Sequence, residues 1–165
     1  MAVKERISHP PPRALPERIT ITVGVHADAG AEGHRPANDT GAGRAVTVAD
    51  VATWNEFGTG DIPQRSFVRA WFDESQDFIK DALRSQMALV AQGKLTADKA
   101  AERVALACEG SMKRRIARGI PPPNAPETIE RKGSSKPLIN TGQLRNAIRG
   151  KVTLGSGAPE GGTEG

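Results

Sequence analysis

Trp54-Asn55-Glu56-Phe57-Gly58-Thr59-Gly60-Asp61-Ile62-Pro63-Gln64-Arg65-Ser66-Phe67 dictates its own backbone path. Gly58 stands where a left-handed residue ends a helix. Pro63 pushes Ile62 into an extended conformation, and Ser66 is a natural N-cap for the segment that follows. Upstream, Val48 to Phe57 reads as a helix with Thr47 at its N-cap. Asp50 lies in the first turn, where a carboxylate meets free N–H groups. Ala45-Val46-Thr47 reads as a short strand before it. Downstream, Val68, Trp71, Phe72, Ser75, Phe78, Ile79, Ala82, Leu83, Met87 and Val90 recur with the 3.6-residue period, predicting one long helix that runs from Phe67 toward Gly93 and buries one face. Every aromatic residue of the chain, two Trp and four Phe, falls between positions 54 and 78. Because aromatic side chains bury the most apolar area, that cluster is expected to mark the core.

Beyond Gly93, Thr96 caps a second helix with a narrower stripe of Ala97, Ala101, Val104, Cys108, Met112 and Ile116. It ends at Gly119, before Pro121 to Pro123. Two long helices joined by a short turn imply an antiparallel pair. Before the opening stretch, Arg18 to Val25 alternates with period two and is rich in β-branched residues, as a half-buried strand should be. Residues 28–44, rich in Gly and Ala with Pro, Asn and Asp among them, read as a mobile loop. Residues 1–17 carry four prolines and too little apolar surface to offset ordering entropy, so they read as a flexible arm. After the helix pair, Asn124 is the expected N-cap of a short helix with Pro126 in its first turn and Glu127 at N3, closed by Gly133. A second dense stretch follows: Pro137-Leu138-Ile139-Asn140-Thr141-Gly142-Gln143-Leu144-Arg145-Asn146-Ala147-Ile148. Asn140 is its expected cap, with Gln143 at N3 and Ile139 and Leu144 as a hydrophobic staple. Lys151 to Leu154 is a final strand, and residues 155–165 form a Gly-rich tail expected to be disordered. The expected fold is α+β, with a small, mainly antiparallel sheet packed against a long helix and an antiparallel helix pair. It occupies one domain over residues 18–154.

The formal net charge of +4 and pI of about 9.6 favour anionic surroundings but are well short of the charge density of a dedicated nucleic-acid binder. Cys108 is the single cysteine, so no intrachain disulfide forms, and its place on an apolar stripe fits a buried structural thiol. No apolar run approaches a membrane span, and the N-terminus lacks the apolar core of a signal peptide. His9, His26 and His34 lie outside any frame that would fix metal or catalytic geometry. Gly58-Thr59-Gly60 lacks the Lys and hydroxyl ending of a phosphate loop. Asp73, Glu74 and Asp77 fall on a solvated helix face. No catalytic, metal or cofactor site is expected. Glu56, flanked by Trp54 and Phe57, either pairs with Arg65 across the loop or faces water. Basic residues gather late in the chain, with Lys113, Arg114, Arg115 and Arg118 as one group. These either face DNA phosphates or serve a helix C-terminus and a subunit contact, the second being favoured.

Taken together, Val51 to Thr59 with Ile62 to Phe67, the long helix, Asn124 to Ile129 and Arg131 to Arg145 resemble the neck and tail-completion family of tailed bacteriophages, over residues 46–154. Family members often carry a second proline where Ser66 stands and an aspartate where Asn140 stands. The resemblance implies a structural, non-enzymatic virion protein, made in the host cytoplasm and assembled as a hexameric ring at the head–tail junction. Its implied partners are neighbouring neck, connector and tail-tube or terminator proteins, with DNA passing nearby. On that footing, Glu56, Phe57, Gly58, Thr59, Ile62, Pro63 and Arg65, with Pro137, Leu138, Thr141 and Arg145, are the expected contacts to neighbouring subunits or rings. Alternatives are a DNA-contacting tail terminator or head-closure component, and a DNA-binding regulator.

Overall fold

The computed structural model describes residues 18–33, 46–132, 137–138 and 142–155. Strand β1 (Arg18–Val25) is followed by one helical turn, α1 (Ala27–Gly30), and by helix α2 (Val48–Phe57). Then come α3 (Phe67–Glu74), α4 (Gln76–Ala91), α5 (Ala97–Arg118), α6 (Pro126–Lys132), α7 (Gln143–Ala147) and strand β2 (Ile148–Gly155). β1 and β2 pair antiparallel along their whole length, from Arg18 opposite Gly155 to Val25 opposite Ile148. This two-stranded sheet lies on α5, against which α4 also packs, so the α+β architecture is a small sheet on a long helix beside an antiparallel helix pair.

α5 is the axis of the core. Its residues Ala100, Ala101, Val104, Ala105, Cys108, Met112 and Ile116 are buried at helical spacing. They meet Phe67 and Trp71 of α3, Val48 of α2, Leu144 and Ala147 of α7, and Ile148 of β2. Small residues let the sheet approach closely: a Cβ on Gly150 would stand 2.4 Å from the carbonyl oxygen of Ala105. The Gly150 N–H, turned away from β1, donates to Glu109 Oε2 on α5 at 2.9 Å.

Several expectations change. The predicted single helix is two: Ser75 (φ −107°, ψ 10°) separates α3 from α4. The Phe72 carbonyl accepts from the Ser75 N–H at 3.2 Å and from the Gln76 side-chain amide at 3.3 Å, closing α3 with a tighter turn. The aromatic cluster also divides. Phe67 and Trp71 are core, whereas Phe57, Phe72 and Phe78 are exposed, and α4 has no fully buried residue. In place of a strand at 45–47 there is an isolated bridge between Thr47 and Gly33. The stretch read as a loop from Asp28 begins inside α1, whose Gly30 is buried against Ala49. α6 starts at Pro126, which places Ala125, not Asn124, at the cap position. α7 starts after Gly142 in the left-handed region, so Gln143 is its first residue and not its third. β2 is longer than predicted at both ends and includes Gly155, the first residue assigned to the tail. The arm at 1–17, most of the loop at 28–44, the tail from 156, Gly133, Ile139, Asn140 and Thr141 lie outside the described residues.

Candidate docking site

Glu56, the next-to-last residue of α2, is 9% exposed. Its Oε1 accepts from the Ser66 hydroxyl at 2.7 Å and the Arg69 N–H at 3.2 Å, and its Oε2 accepts from the Val68 N–H at 2.9 Å. The second and third N–H groups of α3, which an N-cap side chain would otherwise take, are thus held by a carboxylate twelve and thirteen residues upstream. Ser66 makes no capping bond of its own. The expected pairing of Glu56 with Arg65 is not formed, and Glu56 does not face water either. Arg65, 7% exposed, donates from Nε to the Pro122 carbonyl at 2.8 Å and from Nη2 to the Pro123 carbonyl at 3.1 Å. Burial pulls the pKa of this guanidinium below its ordinary value. The match is chemically apt, because proline carbonyls accept but their nitrogens have no proton to donate.

Between these anchors the loop closes on itself. The Thr59 N–H donates to the Ile62 carbonyl at 2.8 Å, and Thr59 Oγ1 accepts from the N–H groups of Asp61 at 3.3 Å and Ile62 at 3.0 Å. The Arg65 N–H returns to the Asn55 carbonyl at 2.6 Å, and the Gln64 amide reaches the Glu56 carbonyl at 3.1 Å. Gly58, at φ +78°, brings its Cα beside Gln64; a Cβ there would lie 3.1 Å from the Gln64 nitrogen. This fixed frame presents Phe57, Thr59, Gly60, Asp61 and Pro63 to solvent, with Phe57 65% exposed and Ile62 half-buried.

The second stretch is anchored differently. Pro137 is buried, and Leu138, at φ +61°, packs against the core. Arg145 lies half-buried on α7, which packs against α2. The structure therefore places the helix bearing Arg145 beside the helix that leads into the loop. It does not join Glu56 to Arg65.

The basic group on α5 is partly committed within the chain. Lys113 pairs with Glu109 at 2.6 Å. Arg115 makes a two-pronged bond to Glu74 at 2.7 and 2.9 Å and donates to the Gly119 carbonyl at 2.7 Å, closing the helix C-terminus. Arg114 and Arg118 are exposed. Hydrogen bonding to Arg115, with its charge and that of Arg118, holds the Glu74 carboxyl below its ordinary range. Cys108 is buried, and desolvation raises its thiol pKa. His26 Nε2 lies 3.1 Å from the Arg149 carbonyl. No group of three or more metal-type ligands occurs among the described residues.

A groove of about 490 Å³ runs between β1, α3 and α4 with α5 as its floor, lined by Ile21, Val23, Val68, Phe72, Leu83 and Cys108 among others. Its lining is overwhelmingly apolar; Glu56, already bonded, and Arg69 are its charged members. Among the described residues, no helix is long and apolar enough to cross a membrane. Comparison with known protein families, with curated proteins and with solved structures found no match.

Proposed function

We propose that this chain is a structural subunit of a tailed-phage neck, forming a ring at the head–tail junction of the virion that completes the tail and mediates joining. The observation that carries the reading is the use made of Glu56 and Arg65. Of the three ionisable residues of the first stretch, Asp61 is exposed, while Glu56 and Arg65 are buried and consumed in holding backbone, one capping α3 and the other clamping the Pro122-Pro123 segment. Both side chains are thereby committed to holding backbone, each with its own partners. What this produces is a rigid loop offering an exposed phenyl ring, and rigid aromatic anchors suit recognition by a neighbouring subunit. The neighbours in this reading are further copies of the chain and the connector and tail proteins on either side.

The test is complementation of particles that lack this protein. Purified wild type should restore the joining of heads to tails. Phe57→Asp, and charge reversal of Arg145 combined with substitution of Ile62, should leave the circular dichroism spectrum unchanged and block joining. Normal virion yield from both variants would overturn the assignment. A second reading, a DNA-contacting terminator or head-closure component, rests on exposed Arg114 and Arg118, which would line the channel. A DNA-binding regulator would instead bind free duplex with a steep salt dependence.

A further inference from the structure

The sheet has two strands, and the outer edge of β1 pairs with no strand among the described residues. Gly150 gives its N–H to Glu109, so Gly150 and Val23, which face each other, form a non-hydrogen-bonded pair. By alternation, the outward N–H and C=O groups of β1 are those of Ile19, Ile21 and Val23. The Ile21 and Val23 side chains also line the groove. A strand added to this edge would therefore set the side chains opposite Ile21 and Val23 into the groove, on the α5 side. The edge carries no protection against such pairing: after Arg18 it has no charge, no proline and no bulge.

We infer that the groove and the β1 edge receive residues 1–8 of a neighbouring copy as a third strand; this rests on the ring reading above. Seventeen residues precede β1, the strand whose edge is open. Met1, Val3, Glu5 and Ile7 alternate with Ala2, Lys4, Arg6 and Ser8, so in an extended segment the first set shares one face. That face is apolar with one carboxylate, matching an apolar groove at whose rim stands the exposed Arg69. The source is taken as another copy because the ring reading sets the arm of one subunit beside the groove of the next, and the carboxylate of Glu5 complements the Arg69 charge at that groove.

The experiment uses the full chain carrying Val3→Cys and Leu83→Cys in a Cys108→Ala background, under mild oxidation. A ladder of covalently linked chains on a non-reducing gel, absent from either single variant, is expected. Failure to link, or a disulfide closed within one chain, overturns the inference. Separately, Ile7→Asp should raise the concentration for half-assembly at least about tenfold without altering the thermal midpoint of the monomer; assembly like wild type overturns it. Rings seen by electron microscopy without the ladder would leave the neck reading standing and remove the arm. A ladder without closed rings would do the reverse.

Discussion

Glu56 shows how far a residue's role can lie from its neighbours in sequence. Its carboxylate replaces the N-cap of α3 from the end of the preceding helix, so truncation would leave two N–H groups and the Ser66 hydroxyl without acceptors. Glu56→Ala should cost about 2–4 kcal/mol, the sum of a lost cap and unsatisfied buried donors. Urea unfolding measures it, and an unchanged midpoint would show that the cap contributes nothing. Thr47 and Asp50, by contrast, form a reciprocal capping box three residues apart, and that was legible because every group involved is local. The partners of Glu56 and Arg65 were not legible, since they depend on where α3 and the Pro122-Pro123 segment come to rest. For Glu56 the sequence left pairing and exposure to water both open, and neither its burial nor the identity of its donors follows from local residues.

At the scale of elements, β1 was readable to its exact ends because alternation and β-branching report on the strand itself. The break at Ser75 was invisible because the 3.6-residue period continues across it. Tertiary packing accompanies it: Trp71 is buried on α5 with its indole N–H donating to the Ser111 hydroxyl at 3.2 Å, while α4 beyond the break has no fully buried residue. The apolar face of α4 thus reaches solvent, and this sets a contrast between two methionines. Met87, 53% exposed, should tolerate Lys within about 0.5 kcal/mol, whereas Met112, fully buried, should lose about 2–5 kcal/mol on change to Ala. Denaturant midpoints of the two variants check it. Carboxylates also tie elements together. Burial alone would raise the pKa of Glu109, but hydrogen bonds from Lys113 and the Gly150 N–H, with the charges of Lys113 and Arg149, bring it below its ordinary 4.5. Glu74 is lowered by Arg115. Since both folded values lie below the unfolded ones, their contribution is present above pH 4.5 and lost as pH falls through the folded values. Thermal midpoints should fall on acidification below that point, and Glu109→Gln should flatten the acid limb.

For the whole molecule, the open question of charge is whether the basic end of α5 meets DNA or protein. A formal charge of +4 is too small to decide it, so the decision rests on which cations are free. Lys113 and Arg115 already neutralise Glu109 and Glu74, and phosphate would have to displace those carboxylates before gaining anything. Arg114 and Arg118 are exposed and would contribute directly. Each phosphate neutralised on duplex DNA adds about 0.9 to the slope of log affinity against log salt concentration. If this face lines a DNA channel, changing Arg114 and Arg118 together to Gln should lower the slope by about 1.8 per copy, while changing Lys113 and Arg115 should lower it by much less. If the face instead meets another subunit, the same pair of changes should leave duplex binding as it was and weaken assembly, most visibly at low ionic strength, because exposed charges at a protein contact act mainly through screened attraction. Fluorescence anisotropy with labelled duplex and light scattering of the same two double variants across a salt series separate the two outcomes.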